Sequence, residues 1–140
     1  MSAEFFLDTN VLIYAFFDQD PAKKARCREL HEFALEDGRG IISFQVVQEF
    51  LNTAIKKFPG QFTNDELKDF LGATLWPLCG IFPGEELYRR AIIVRSETGF
   101  SFYDSLIVAA ALEAGCKIIY SEDLHHNHRL HGLEIKNPFL

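Results

Sequence analysis

Three short, mostly apolar runs, Phe5–Leu7, residues 41–43 and Ile118–Tyr120, are separated by long stretches with helical patterning. Each run has the length of a buried strand and each intervening stretch has room for helices, so the chain is limited to crossover connections between parallel strands. Such crossovers are right-handed and leave helices on the faces of the sheet. The expected fold class is therefore α/β: a three-layer sandwich with a mainly parallel central sheet flanked by helices.

Helix punctuation supports this reading. Asp8-Thr9-Asn10 offers capping side chains ahead of Val11-Leu12-Ile13-Tyr14-Ala15. Asp20-Pro21 reads as a cap followed by proline at the first helical position, and Gly38 as a helix end, which predicts a helix near 21–37. Further helices are expected near 44–58, after the Thr63-Asn64-Asp65-Glu66 capping-box spacing, and near 84–98 behind Pro83. Ser101-Phe102-Tyr103-Asp104 repeats the capping-box spacing and opens a helix that Gly115 would end. No repeat, low-complexity tract or linker divides the sequence, so residues 1–140 read as a single domain.

Four acids fall where open α/β folds collect ligand-binding groups. Asp8 follows the first strand directly, Asp123 lies just past the last one, Asp104 stands at a helix start, and Glu49 sits inside the helix expected near 44–58. Each also has a structural reading. Asp8 is a good helix cap, although Thr9 and Asn10 could cap instead and free it. Asp104 would complete a capping box with Ser101, yet its apolar neighbours Phe100, Phe102 and Tyr103 imply a buried helix end, where a carboxylate calls for a cation. Glu49 projects opposite the apolar stripe of Val47, Phe50, Leu51, Ala54, Ile55 and Phe58, together with Asn52 and Lys56, as a solvated face would. Glu122 and Asp123 are adjacent and spacing does not rank them.

Charge bears on what such a cleft could bind. Fourteen Lys and Arg against twenty Asp and Glu leave a net charge of −6, the wrong sign for holding nucleic acid by bulk electrostatics. Divalent cations held by the acids would reverse the local field, and an acidic surface favours a basic protein partner. Cys27, Cys79 and Cys116 are odd in number and lack a Cys-x-x-Cys pair, which argues against a disulfide framework or structural zinc and for a reducing cytosol. No apolar run approaches a membrane span, so a soluble, intracellular protein is expected. His125, His126, His128 and His131 crowd one segment without a standard zinc spacing, and read as a polar loop or phosphate contacts before a metal site.

Taken in order, Phe6-Leu7-Asp8-Thr9-Asn10-Val11-Leu12, Glu49, the run from Phe102-Tyr103-Asp104-Ser105 through Ala111, and Tyr120-Ser121-Glu122-Asp123-Leu124 form a recognisable series. The chain resembles a PIN-domain nuclease of the VapC toxin type, over nearly its whole length and down to Asn137-Pro138-Phe139. The resemblance implies a metal-dependent endoribonuclease whose acidic quartet maps onto Asp8, Glu49, Asp104 and Asp123, with Asn10 and Ser121 as polar helpers. It also implies a homodimer and an antitoxin whose basic tail can occupy the cleft. Hydrolysis of RNA by two Mg²⁺ or Mn²⁺ ions about 4 Å apart needs hard oxygen ligands, hence carboxylates. Asp8, Asp104 and Asp123 would hold the ions, Glu49 would complete the set or orient water, and cleavage would leave a 5′-phosphate and a 3′-hydroxyl.

Two other readings compete. Asp8-Thr9-Asn10-Val11 is similar to the nucleophile motif of haloacid-dehalogenase-like phosphatases, but Asn10 replaces the second Asp of that motif and cannot serve as its general acid. A catalytically silent module that binds a basic partner through the same cleft is the non-enzymatic alternative.

Overall fold

The computed structural model describes residues 3–17 and 20–140. Six strands form one sheet in the order β3-β2-β1-β4-β6-β5, where β1 is Phe5–Leu7, β2 Gly40–Ser43, β3 Cys79–Ile81, β4 Ile118–Tyr120, β5 Arg129–Leu130 and β6 Leu133–Lys136. All neighbours run parallel except the β5–β6 pair. The helices are α1 Thr9–Phe16, α2 Pro21–Asp37, α3 Phe44–Lys57, α4 Asn64–Phe70, α5 Glu85–Thr98 and α6 Phe102–Glu113. The result is the α/β sandwich that the alternation of elements predicts.

Strand β1 is the centre of the molecule. Phe5, Phe6 and Leu7 are all buried, as expected of a parallel strand covered on both faces. From β1 the chain builds outward through β2 and β3 on one side, then crosses back to lay β4 and β6 on the other. The order therefore reverses between β1 and β4, where such sheets open a crevice at their carboxyl ends. Phe5 pairs with both Gly40 and Ile118, which brings the ends of β1 and β4 level.

Helix ends follow their local chemistry. Asp20 accepts hydrogen bonds from the amides of Ala22 and Lys23, and Gly38 closes α2 in the left-handed region at φ 63°. Thr63 and Glu66 make both halves of a capping box. One glycine is needed for space: a Cβ on Gly40 would lie 2.3 Å from Ala34 Cβ, so only glycine lets β2 lie this close to α2.

The apolar core gathers Phe6, Leu7, Leu12, Phe17, Ile42, Phe50, Leu75, Leu87, Ile119 and Leu133, each at most 1 % exposed. An aromatic cluster adjoins it: Phe17 stacks on Phe58 at 4.0 Å, Phe50 stacks on Phe70 at 5.1 Å, and Phe16 meets Phe70 edge-on. The three cysteines are free, and burial pushes the thiols of Cys27 and Cys116 up to about 12. Among the described residues no helix is long and apolar enough to cross a membrane.

The structure departs from the sequence reading in three places. The start of α6 is not buried: Ser101 to Asp104 are exposed and burial begins at Ser105, because Phe102 and Tyr103 pack edge-on against each other at the surface instead of entering the core. Ile55, assigned to the apolar stripe of α3, is 59 % exposed, while Val46 is buried in its place. Strands β3, β5 and β6 add a half-sheet beyond the three strands legible in the sequence.

Candidate active site

At the carboxyl end of β1 the backbone amide of Asp8 still bonds the carbonyl of Tyr120, the last residue of β4, at 3.0 Å. The two strands thus stay joined while their next residues turn into the crevice. Asp8 caps α1 after all: one oxygen accepts from the Thr9 amide at 2.8 Å, and Oδ2 accepts from the Ser121 hydroxyl at 2.7 Å. Ser121 Oγ in turn accepts from the Leu124 amide at 3.2 Å, so one buried hydroxyl ties the β4 turn to the β1 acid.

Asn10, in the first turn of α1, donates to Asp123 Oδ2. Asp8, Asn10, Ser121 and Asp123 therefore form a hydrogen-bonded set across the β1–β4 switch. Glu122 is excluded from it. Its carboxylate pairs with Lys23 Nζ at 2.5 Å, facing α2 and Tyr14. Burial alone would raise Glu122, but the bonds from Lys23 and Tyr14 outweigh it and hold it below its ordinary value. Adjacent residues that spacing could not rank are separated by a lysine ninety-nine positions away.

The remaining two acids approach from the other helices. Ser101 Oγ accepts from the Asp104 amide at 3.2 Å, but the reciprocal half of the box is not made, so the Asp104 carboxylate is not spent on capping. Glu49 lies on the exposed face of α3, as its position opposite the apolar stripe predicts, and that face opens on the cleft.

The electrostatics of this cleft are unfavourable to it. Burial raises the Asp8 carboxyl above its ordinary value, and the charges of Asp123 and Asp104 push the same way against the bonds from Ser121 and Thr9. Glu49 is raised by burial and by the charges of Asp8 and Asp104. Asp123 is raised by burial and by Glu122 and Asp104, with Lys57 opposing. Gln45 and Thr9 stand near Glu49 and favour its charge, although Gln45 Nε2 is engaged by the Tyr103 carbonyl at 3.1 Å.

A divalent cation fits the donor set. The groups are hard oxygens, their charges repel one another, and Thr9 Oγ1, Ser43 Oγ, Gln45 Oε1 and Ser105 Oγ are buried without a partner beside the elements that carry the acids. Among the described residues, no three acidic, histidine or cysteine side chains already converge as a closed metal cage.

The four histidines of residues 125–131 disperse. His125 and His128 face the Phe100 ring, His126 Nδ1 accepts from the Asn137 amide, and His131 meets Glu97 at 2.7 Å. They shape a turn in which Asn127 and His131 adopt positive φ. Lys23 and Gln45, which also bear on the cleft, carry no local sequence signal, since each acts through a partner far along the chain.

The family model described as PIN domain matches residues 5–129. Similar solved structures include DNA-bound VapBC from Salmonella typhimurium, with a TM-score of 0.67 and 20 % identity over 96 % of this chain and 97 % of that one. A toxin–antitoxin complex from Klebsiella pneumoniae gives 0.66 and 16 % over 96 % and 98 %. VapC20 from Mycobacterium tuberculosis, described as a sarcin-ricin loop cleaving toxin, gives 0.62 and 16 % over 86 % and 90 %. At such identities the likeness is one of fold. No curated protein matches the chain.

Proposed function

The chain belongs to the PIN-domain family, and from that premise we propose that it is a metal-dependent endoribonuclease, the toxin of a toxin–antitoxin pair. The observation that carries the reading is the crowding of Asp8, Asp104, Asp123 and Glu49 at the β1–β4 switch, each within electrostatic reach of others and with no basic side chain spent on Asp8. Glu49, Asp104 and Asp123 are exposed and Asp8 is half-buried, so solvent screens part of the repulsion within this cluster. The cluster makes chemical sense as a receptor for positive charge.

Mg²⁺ or Mn²⁺, when bound, would lower the pKa of a water nucleophile and neutralise charge developing on the scissile phosphate. Asp8, Asp104 and Asp123 would hold the ion. Ser121 and Thr9 aim the Asp8 oxygens, and Asn10 aims Asp123, so both carboxylates are oriented before substrate arrives. Glu49, on the far wall and raised by its neighbours, completes the ligand set or accepts a hydrogen bond from the attacking water. Attack of that water on phosphorus would break the bond to the 3′-oxygen, which takes up a proton from solvent, leaving a 5′-phosphate and a 3′-hydroxyl.

Two partners belong to the proposal. The acidic cleft suits the basic tail of an antitoxin, and a toxin–antitoxin complex stands among the structures of similar fold. A homodimer would cover the apolar surface of α5, where Ile92 and Ile93 are 58 % and 55 % exposed. The setting is the cytoplasm, where both RNA and the three free thiols belong.

The test is incubation of folded, antitoxin-free protein with a mixed RNA pool in Mg²⁺ or Mn²⁺, beside EDTA and Asp104→Asn controls, with end-group mapping. Discrete fragments bearing 5′-phosphates and lost in both controls are expected. No cleavage in any metal would overturn the reading and favour the silent binding module.

A further inference from the structure

Tyr103 is 70 % exposed, among the most exposed large hydrophobic side chains of the protein, and it stands immediately before Asp104 on the first turn of α6. Its ring is braced edge-on by Phe102 at 5.7 Å and 71°. Across from it, Gln45, Gln48 and Glu49 share one face of α3 by their i, i+3, i+4 spacing, and with Tyr103 they line a cavity of about 290 Å³. Gln45 clamps the Tyr103 carbonyl through Nε2, leaving its Oε1 buried without a partner.

This is an unusual wall for a cleft that works on phosphate alone. An open aromatic face and the exposed Gln48 amide, with donor and acceptor, are groups that receive an unpaired base: the ring stacks on it and the amide meets its edge. A phosphate could accept a hydrogen bond from that amide, but the open face of the ring offers it nothing. A cationic antitoxin side chain could also lie over the ring, where it would compete with a base for the same face.

We infer that Tyr103, with Gln48 beside it, is a base-stacking platform that holds the nucleotide next to the scissile phosphate. The inference rests on the endoribonuclease reading and deepens it. Paired RNA keeps its bases stacked within the helix and cannot offer one to the ring. Tyr103 contacts substrate without taking part in proton transfer or metal ligation.

The experiment uses a fluorescein-labelled 12-nucleotide RNA of mixed sequence, alone or annealed to its complement, with binding followed by anisotropy in the cleavage-silent Asp104→Asn background. Single strands are expected to bind at least ten-fold more tightly than duplex. In that background Tyr103→Ala weakens the single strand by roughly 5- to 100-fold, the range of one lost base stack, and Tyr103→Phe restores it. In the otherwise native protein the same substitution raises KM for RNA more than it lowers kcat. Circular dichroism melts check that these exposed-site variants fold. If Tyr103→Ala binds single strands as well as its parent, or duplex binds equally, the stacking platform is wrong while cleavage by the native protein leaves the nuclease reading standing. Absence of both cleavage and RNA binding would overturn the two together.

Discussion

At its amino end α1 carries Asp8 and Asn10 into a cleft of mutually repelling carboxylates, and at its carboxyl end Phe16 and Phe17 enter a cluster in which each ring has an aromatic neighbour. One helix of eight residues joins the two. It spans only about 12 Å, at 1.5 Å per residue. The ring end gains dispersion and burial, which hold the helix in place. The acid end loses free energy by desolvation and repulsion, which that anchoring allows it to sustain. Stability and chemistry are thus divided between the ends of a single rigid element.

Asp8→Asn should separate the ends most sharply. Cleavage should fall by roughly 10³-fold, the scale of losing one electrostatic group at a reacting centre. The metal-free protein should become more stable, since asparagine still accepts from Thr9 and caps nearly as well without the buried charge. RNA assays and thermal melts in EDTA measure the two effects. A drop in Tm alongside lost cleavage would show that Asp8 serves the fold first, and the contrast would fail.

Phe17→Ala addresses the other end. Phe17 is fully buried and touches Phe50, Phe58 and Phe62, so its truncation should cost about 3–5 kcal/mol by urea unfolding. Cleavage per folded molecule, assayed well below Tm, should stay near that of the parent. Equal loss of activity in the folded fraction would mean that the ring cluster also sets the cleft geometry.

The smallest effect concerns pH, which acts on the ends with opposite sign. His31, edge-on to Phe16, has its pKa lowered by burial, with the Thr74 backbone opposing. The unfolded chain therefore binds its proton first, and this end loses stability as pH falls below about 6.5 toward the lowered folded value. Asp8, Glu49 and Asp123 are raised, so the metal-free fold takes up protons before the unfolded chain does and gains stability as pH falls through their raised values toward about 4. In EDTA, His31→Gln should flatten the acid-side loss in Tm. An unchanged profile would show that His31 titrates normally.

Legibility in the sequence followed the range of the interactions. Helix ends were readable at Asp20-Pro21, Gly38 and Thr63-Glu66 because a cap acts within four residues. Strand β3 was not, since Cys79-Gly80-Ile81 is short, carries a glycine and gains its pairing from β2. Strand β6 does alternate, with Leu133 and Ile135 buried between Glu134 and Lys136, and the histidines before it obscured that signal. The acids themselves were visible. What was not is their sorting: Glu122 is taken by Lys23, Asp104 stands on an exposed turn, and Asp8 caps its helix as well as facing the cleft.

The sheet ends on one side in a strand of three residues between Pro77 and Pro83, and on the other in a two-residue strand turned antiparallel. Neither border displays enough free backbone donors and acceptors for a neighbouring copy to extend it. For a chain with fourteen phenylalanines, such short borders work against the edge-to-edge pairing by which fibres are templated.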